Sequence, residues 1–216
     1  MNKTLWMCWF QGENDSSVRW IHKQCISRWR SLNPDWDVNV LDNEKIKTII
    51  PEYFDIIGDN EVLLPTRSEV VRILLLRKFG GIWADTNVYP MYPLDYIIPK
   101  ILNDTGFFTY RFFPRVKRKL KGTRDAVSWF LVADRPGHPL IVKWSDMFLS
   151  RFNNWPDDPK YFQFHEDLAT LYDSDAQVKN IIDNMVQIDE KIPHSAIHAF
   201  SKRTQSYIYK KPKLHL

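Results

Sequence analysis

Cysteine is scarce in this chain: only Cys8 and Cys25 occur among 216 residues. Two cysteines are too few for a framework of disulfide bonds, so the sequence predicts a protein of the reducing cytoplasm. Long hydrophobic runs are also missing, since no stretch approaches the roughly 18 apolar residues that a transmembrane helix needs. The apolar run near the N-terminus is too short for a signal peptide. We therefore expect neither a membrane span nor a secretion signal.

Several motifs of enzyme chemistry are absent as well. The sequence contains no Gly-x-Gly-x-x-Gly pattern, no P-loop and no Gly-x-Ser-x-Gly elbow. Its two cysteines have no partnering motif with the spacing of a zinc site. These absences argue against a dinucleotide-binding oxidoreductase, a P-loop nucleotidase, a serine hydrolase of the α/β type and a zinc protein.

Aromatic residues, in contrast, are plentiful. They make up 14% of the chain, with nine Trp, and hydrophobic residues make up 44%. Such a composition predicts a folded globule with a proper core, arranged as a single domain over residues 1–216. Most tryptophans are expected in that core, although an aromatic cleft also suits the flat faces of sugars and nucleobases.

Positive charge is concentrated in two segments. Residues 111–124 hold seven Lys and Arg without an acid, and residues 201–216 hold five more, although the net charge is only +4. The body of the chain is therefore acidic and carries two basic patches. Such patches could meet anionic lipid head groups, a phosphorylated acceptor or nucleic acid, or they could be solvated loops.

The central stretch is residues 66–93, TRSEVVRILLLRKFGGIWADTNVYPMYP. Thr66 with Glu69 three residues later has the pattern of a capping box, which predicts a helix that starts at Thr66. The run that follows is apolar on nearly every side, as in a helix wedged into a core. Gly80 and Gly81 are expected to end this helix, because glycine enters the left-handed conformation cheaply.

A short buried strand, residues 82–84, is predicted to end at Asp85. Open α/β sheets bind their ligands at the carboxyl ends of their strands, so Asp85 is a candidate site residue. Asp85 and Asn87 could place two oxygens on a hard cation such as Mg²⁺ or Mn²⁺. Without further support, Asp-x-Asn at a turn would be structural, since both residue types favour turns.

Strand and helix patterns alternate along the rest of the chain, which predicts a parallel sheet built from βαβ units. Asp42 is expected to cap the second helix, with a ligand contact as the alternative. The predicted strands are residues 4–10, 36–41, 106–113 and 125–133, and the predicted helices are residues 16–32, 43–50, 94–102, 139–152 and 161–172.

The stretch TRSEVVRILLLRKFGGIWADTNVYPMYPLD resembles the signature of the capsular polysaccharide synthesis proteins and related sugar transferases with a DXD motif. Glu69 stands where this family usually has Asp, and Asn87 stands where many members have the second Asp. The resemblance implies a GT-A-like, Rossmann-type α/β fold with a mixed, mainly parallel sheet flanked by helices. It divides the domain into a nucleotide-sugar half (residues 1–93), an acceptor half (94–200) and a basic tail (201–216).

The resemblance also implies an activity. The protein would move a hexosyl unit from a nucleotide-diphosphate sugar to a carbohydrate acceptor, assisted by Mn²⁺ or Mg²⁺, in capsular or other surface polysaccharide synthesis. The acceptor could be lipid-linked, and the basic patches could hold the protein at the anionic inner face of the membrane. Nucleic acid is not an expected partner. The rival interpretations are a catalytically silent sugar-binding module and a nucleic-acid-binding protein.

Site residues follow from the same resemblance. Glu69 would contact donor sugar or ribose hydroxyls, and Arg72 would orient it, although an ion pair between these two is the structural alternative. Apart from the resemblance, Asp125 or Glu166 could act as the base for the acceptor if the enzyme inverts the configuration of the sugar. His194 competes with His198 as a metal ligand. The implied catalytic residues are Glu69, Asp85 and Asp125; the donor-binding residues are Trp9, Gln11, Gly12, Glu69, Arg72, Gly81, Asp85, Asn87 and Lys202; and the metal ligands are Asp85, Asn87 and His198.

Overall fold

The computed structural model describes residues 1–111, 126–155, 161–190 and 208–210. A 3₁₀ turn at Ser150–Asn154 follows the sixth helix. The helices are α1 (Trp20–Leu32), α2 (Asn43–Ile49), α3 (Glu52–Ile57), α4 (Leu64–Phe79), α5 (Leu94–Ile101), α6 (Pro139–Leu149), α7 (Gln163–Ser174) and α8 (Ala176–Asn184). The strands are β1 (Thr4–Cys8), β2 (Asp37–Leu41), β3 (Gly81–Ala84), β4 (Val88–Pro90), β5 (Phe107–Thr109), β6 (Phe130–Ala133) and β7 (Ile208–Lys210).

Five of these strands form one sheet in the order β2-β1-β3-β6-β5. β1 is parallel to both β2 and β3, whereas β6 is antiparallel to both β3 and β5. Four strands therefore run in one direction and β6 runs against them. This arrangement confirms the predicted mixed, mainly parallel sheet. β4 and β7 form a separate antiparallel pair.

Helices cover both faces of the sheet. Successive side chains of a strand point to opposite faces, so each strand contributes to two cores. Trp6 of β1 and Trp83 of β3 pack into a core with α2, α3, α4, α6, α7 and α8. Leu5 and Ile82, their neighbours in sequence, pack into a second core with α1 and α5. The result is a layered α/β domain with the sheet between two sets of helices.

Helix α4 is the central element of the first core. Every side chain from Val70 to Leu76 is buried, including the charged Arg72. The helix starts at Leu64, with Pro65 in its first turn and no side-chain cap at Leu63. The predicted capping box is therefore wrong: a proline pre-set for the first helical turn starts the helix before Thr66, which is part of the helix.

Gly80 has the predicted role of ending α4, whereas Gly81 is the first residue of β3. Gly80 ends the helix with φ +65°, and its amide donates to the Leu76 carbonyl. Gly81 has φ +89°, and a Cβ there would lie 2.7 Å from the carbonyl oxygen of Thr4. Only glycine lets the β3 backbone approach β1 this closely. The pair therefore sets β3 beside β1 and brings Asp85 to the edge where β1 also ends.

The N-terminal elements agree with the predictions in type but not in every boundary. β1 ends at Cys8 rather than at residue 10, and α1 begins at Trp20 rather than near residue 16. Asp42 caps α2, since its carboxylate accepts a hydrogen bond of 2.8 Å from the Lys45 amide. Helix α3 was not predicted. Within the described part of the chain, no helix is long and apolar enough to cross a membrane.

Candidate active site

A cleft of about 630 Å³ lies where β1 and β3 end. Open α/β sheets bind ligands at this edge, as the sequence predicted for Asp85. Its walls come from the end of β1, helix α1, helix α4, the turn after β3 and the segments before β6 and α7. The lining residues are Cys8, Trp9, His22, Pro65, Ser68, Glu69, Arg72, Trp83, Asp85, Thr86, Asn87, Ala126, Val127, Ser128, Trp129, Tyr161, Phe162, His165 and Glu190.

Asp85 is fixed in place yet open to this cleft. Its amide donates to the Trp129 carbonyl at 2.9 Å. Its Oδ1 accepts a hydrogen bond of 3.1 Å from the indole of Trp83 and lies 3.5 Å from a guanidinium nitrogen of Arg72. The Asp85 side chain remains 31% exposed. A ligand in the cleft can therefore reach this carboxylate.

Arg72 is a buried cation that ties three parts of the site together. Its Nη1 donates to the Ser128 carbonyl at 2.7 Å, and its Nη2 donates to the Ser68 hydroxyl at 3.1 Å. Its guanidinium also lies 5.0 Å from the centre of the Trp83 ring, a cation–π distance. Within the described residues, Arg72 pairs with Asp85 and not with Glu69, so the alternative of a Glu69–Arg72 ion pair is wrong.

Glu69 is the unusual acid of the site. It is 7% exposed and lines the cleft. In the part of the chain that the structure describes, its carboxylate has no hydrogen-bond or ion-pair partner. Burial raises the pKa of Glu69 to about 7; the Arg72 charge opposes this rise, and the charges of Asp85 and Asp167 add to it. A carboxyl group with a pKa near neutrality can either donate or accept a proton under physiological conditions.

The turn after β3 is held by helix α1. The Val88 amide donates to the Asp85 carbonyl at 3.0 Å, which closes the turn around Thr86 and Asn87. The buried hydroxyl of Thr86 lies 2.9 Å from Nδ1 of His22. The His22 ring in turn packs 4.8 Å from the ring of Trp9. His22 was not predicted as a site residue, since only the tertiary fold brings α1 to this turn.

The part of the cleft formed by the segments before β6 and α7 is largely aromatic, and Trp129, Tyr161 and Phe162 were not predicted as site residues. Trp129 lies in the segment before β6. Its ring stacks on the ring of Tyr110, with centroids 5.1 Å apart. Tyr161 and Phe162 come from the segment before α7, and His165 lies in its first turn. The sequence signal for this part of the cleft was the aromatic run YFQFH at the start of the predicted helix 161–172; the observed α7 begins two residues later, at Gln163.

The structure brings together only part of the predicted site. Trp9, Glu69, Arg72, Asp85 and Asn87 all line the cleft. Three other predicted donor-binding residues do not line it, and their ligand roles stay predictions: Gln11, Gly12 and Gly81. The predicted roles of four residues lie outside the described residues: Asp125, His194, His198 and Lys202. Glu166 is on α7 but is not among the lining residues.

Comparison with known proteins identifies the family. Residues 1–215 match the family model described as "Capsular polysaccharide synthesis protein". The chain belongs to this family. The match extends well beyond the stretch around Asp85, so it covers both the polar and the aromatic wall of the cleft.

Two curated relatives of this family member are named as glycosyltransferases. O-glycosyltransferase braB of Annulohypoxylon truncatum is 27% identical over 158 residues, which cover 68% of this chain and 37% of the relative. The putative glycosyltransferase HOC1 of Saccharomyces cerevisiae is 28% identical over 149 residues, which cover 63% of this chain and 36% of the relative. The chain therefore spans little more than a third of the length of these relatives.

Solved structures of glycosyltransferases are distantly similar to the capsular family member. PaToxG glycosyltransferase is 16% identical with a TM-score of 0.47, over 83% of this chain and 72% of that chain. A glycosyltransferase involved in the glycosylation of the major capsid of PBCV-1 is 11% identical with a TM-score of 0.48, over 96% and 92% of the two chains. At these TM-scores the similarity carries no argument about activity.

The oxygen groups of the cleft fit a divalent cation that is shared with a substrate. Within the described ranges, no group of three or more His, Cys, Asp and Glu side chains could hold a metal by itself. Asp85 and Asn87 nevertheless offer carboxylate and amide oxygens from one turn, and both line the cleft. Mg²⁺ is commonly bound by one or two carboxylates, with substrate phosphates and water completing its shell. The two side chains suit that mode of binding.

Proposed function

We propose that this member of the capsular polysaccharide synthesis protein family is a glycosyltransferase of the GT-A type. It transfers a hexosyl unit from a nucleotide-diphosphate sugar to a carbohydrate acceptor during the synthesis of a capsular or other surface polysaccharide. The observation that carries this proposal is the cleft itself. It joins the partly exposed Asp85, the buried cation Arg72 and the buried acid Glu69 at the ligand-binding edge of the sheet.

The diphosphate leaving group gathers negative charge during such a transfer, and this charge must be stabilised. Asp85 and Asn87 would hold a divalent cation, Mn²⁺ or Mg²⁺, which supplies that stabilisation when it is bound. Arg72 keeps the Asp85 carboxylate oriented through the 3.5 Å contact and through the anchor on Ser128. His22 holds Thr86, and through it the turn that carries both oxygen ligands.

Glu69 serves the sugar rather than the phosphates. Its carboxyl group faces the cleft without a protein partner in the described part of the chain, so a sugar or ribose hydroxyl can become its hydrogen-bond partner. A buried polar group without a partner is costly, and a bound hydroxyl removes that cost. The resulting contact holds the donor sugar in a fixed orientation, which is a large part of the catalysis of group transfer.

The remaining partners and residues of the proposal come from the sequence and from the family resemblance. Asp125 acts as the acceptor base if the transfer inverts the configuration of the sugar, His198 would be a further metal ligand, and Lys202 would contact the diphosphate. Trp9 packs against the nucleobase at the end of β1. The protein works in the cytoplasm, with its basic segments against the anionic inner face of the membrane, where a lipid-linked acceptor would be presented.

A catalytically silent sugar-binding module is the second candidate function. Asn87 favours it, because a neutral amide oxygen binds a hard cation more weakly than the carboxylate that many family members have at this position. Glu69, which is buried and has no partner among the described residues, favours the enzyme, since a binding module gains little from an acid whose pKa lies near neutrality.

Two measurements test the proposal. A thermal-shift screen of nucleoside diphosphates and their sugars, with and without Mn²⁺, should find at least one nucleotide that raises the melting temperature in a metal-dependent manner. A turnover assay with the sugars of that nucleotide should then detect hydrolysis or transfer. Binding without any turnover would favour the silent module, and steeply salt-dependent binding of DNA or RNA without nucleotide binding would reject both.

A further inference from the structure

Two large aromatic side chains are exposed in the wall of the cleft. Tyr161 is 49% exposed and Phe162 is 38% exposed, yet both line the cleft. Their rings meet edge to face with centroids 4.7 Å apart. Exposed aromatic surface is costly in water, and where it lines a concave site it commonly marks a place where a ligand is buried.

The turn that carries Tyr161 and Phe162 is held in place by packing and hydrogen bonds at the start of α7. Phe162 directly precedes α7, and Phe164 two residues later is fully buried. The Phe164 ring stacks on Trp144 at 4.1 Å, and the Trp144 indole donates to the Phe164 carbonyl at 2.8 Å. The same turn is held by the buried carboxylate of Asp167, which accepts hydrogen bonds of 2.8 Å from Arg151 and 2.9 Å from Gln163. The aromatic pair is thus presented on a fixed turn.

The residues that line the cleft beside this aromatic pair are polar rather than apolar. His165, Glu190 and Ser128 line the same cleft, and Glu69 and Asp85 line the wall contributed by α4 and the turn after β3. A lipid chain in this cleft would cover the carboxyl groups of Glu69 and Asp85 with apolar surface, which is unfavourable. A sugar ring matches them better, because it has an apolar C–H face for an aromatic ring and a rim of hydroxyls for polar side chains.

We propose that Tyr161 and Phe162 form the subsite that binds a pyranose ring of the carbohydrate acceptor. This inference rests on the proposed function and deepens it, because it assigns the acceptor to the wall formed before α7. The nucleotide and its cation bind against Asp85 and Asn87 on the other wall. The fixed turn before α7 then holds the acceptor hydroxyl toward the donor sugar, so Tyr161 and Phe162 determine acceptor specificity.

Binding of simple pyranosides tests the subsite without knowledge of the natural acceptor. The probes are the methyl pyranosides of glucose, galactose and mannose, together with octyl glucoside below its critical micelle concentration. Saturation-transfer NMR should show contacts from the ring C–H protons of at least one methyl pyranoside. In the Tyr161→Ala/Phe162→Ala double variant, affinity should fall about tenfold, since each lost aromatic contact contributes a few-fold.

The chain offers matched controls for this experiment. Tyr96 and Phe54 are exposed to nearly the same extent, 47% and 41%, but do not line the cleft. The Tyr96→Ala/Phe54→Ala variant should bind the pyranosides as the unmodified protein does. The variant Tyr161→Phe/Phe162→Tyr keeps both rings and should retain most of the affinity. The melting temperature of each variant verifies that it is folded.

Four results would overturn the inference: no pyranoside binds, the aromatic double variant binds as well as the unmodified protein, the control variant loses binding equally, or octyl glucoside shows contacts only from its alkyl chain. The nucleotide thermal shift is measured separately on the unmodified protein. Nucleotide binding with pyranoside signals independent of Tyr161 and Phe162 would reject this subsite alone. Pyranoside binding at the pair without nucleotide binding would reject the proposed function alone.

Discussion

The free energy of unfolding should depend on pH through one buried acid, Glu69. The pKa of this group is about 7 in the folded protein, against an ordinary value of 4.5. Because the pKa of Glu69 is raised in the folded state, the contribution of this group to stability is fully present below pH 4.5. It is lost as the pH rises through the folded-state value of about 7. Each pKa unit corresponds to about 1.4 kcal/mol, so the loss is about 3 kcal/mol.

Glu69→Gln isolates this effect because glutamine is neutral at every pH and has nearly the same shape. We expect the variant and the unmodified protein to have similar stability near pH 4.5. Between pH 4.5 and 7 the variant should become progressively more stable, by about 3 kcal/mol at pH 8, and the difference should then remain constant. For a domain of this size, that corresponds to a melting temperature about 6 to 12 °C higher.

The assay is urea denaturation at half-unit pH steps, without nucleotide or divalent cation. Glu61→Gln, at an exposed glutamate outside the cleft, controls for the loss of one carboxylate. If Glu69→Gln is equally or less stable than the unmodified protein at pH 8, the carboxylate has a compensating partner and our account of the site is wrong. The same variant should also lose most of the proposed transferase activity, because the neutral amide binds and orients a sugar hydroxyl more weakly than the carboxyl group does.

Three further substitutions test the framework of the site by urea denaturation. Arg72→Lys should lower stability by about 1 to 3 kcal/mol, because lysine cannot replace the planar fork that contacts Ser128; unchanged stability would refute this anchor. Gly81→Ala should lower the free energy of unfolding by about 3 kcal/mol, because the new Cβ would meet a backbone oxygen. Gly137→Ala is the control: Gly137 has φ +63° with no atom within 4 Å of the new Cβ, so this variant should lose only about 1 kcal/mol. Equal losses of stability in the two glycine variants would refute the close approach of Gly81 to the carbonyl oxygen of Thr4. Asp167→Asn should lower stability by about 2 to 3 kcal/mol, because it removes the charge of a buried carboxylate that pairs with the partly exposed Arg151. A smaller loss would show that α7 is held by packing alone.

The central unit of the fold could be predicted because its signals are local. The buried helix, the double glycine and the strand ending at Asp85 follow one another within 25 residues, and each has its own signal in residue type and order. The helix start was mispredicted because two local signals compete. The Thr66–Glu69 pattern placed the start at Thr66, whereas the helix begins at Leu64 with Pro65 in its first turn.

The aromatic side of the cleft could not be predicted because it forms only through long-range packing. His22, Trp129 and Tyr161 come from three segments that are far apart in the chain, and only Tyr161 lies in a local sequence signal, the aromatic run YFQFH. The partner of Arg72 was missed for the same reason. Spacing on the helix favoured Glu69, whereas the folded sheet brings Asp85 within 3.5 Å. Glu69 is left without a protein partner in the described residues, and this is the feature that distinguishes the site from an ordinary buried ion pair.

The central claim is that Asp85 binds the cation and diphosphate of a nucleotide in this cleft. The most direct measurement is the nucleotide-induced rise in melting temperature with and without Mn²⁺, compared between the unmodified protein, Asp85→Asn and the exposed control Asp59→Asn. At a ligand concentration about 100 times Kd, binding should stabilise the unmodified protein and the control by about 2.7 kcal/mol. Asp85→Asn should lose the Mn²⁺-dependent part of this gain. An equal, Mn²⁺-dependent rise in all three proteins, or no rise with any nucleotide, would contradict the account.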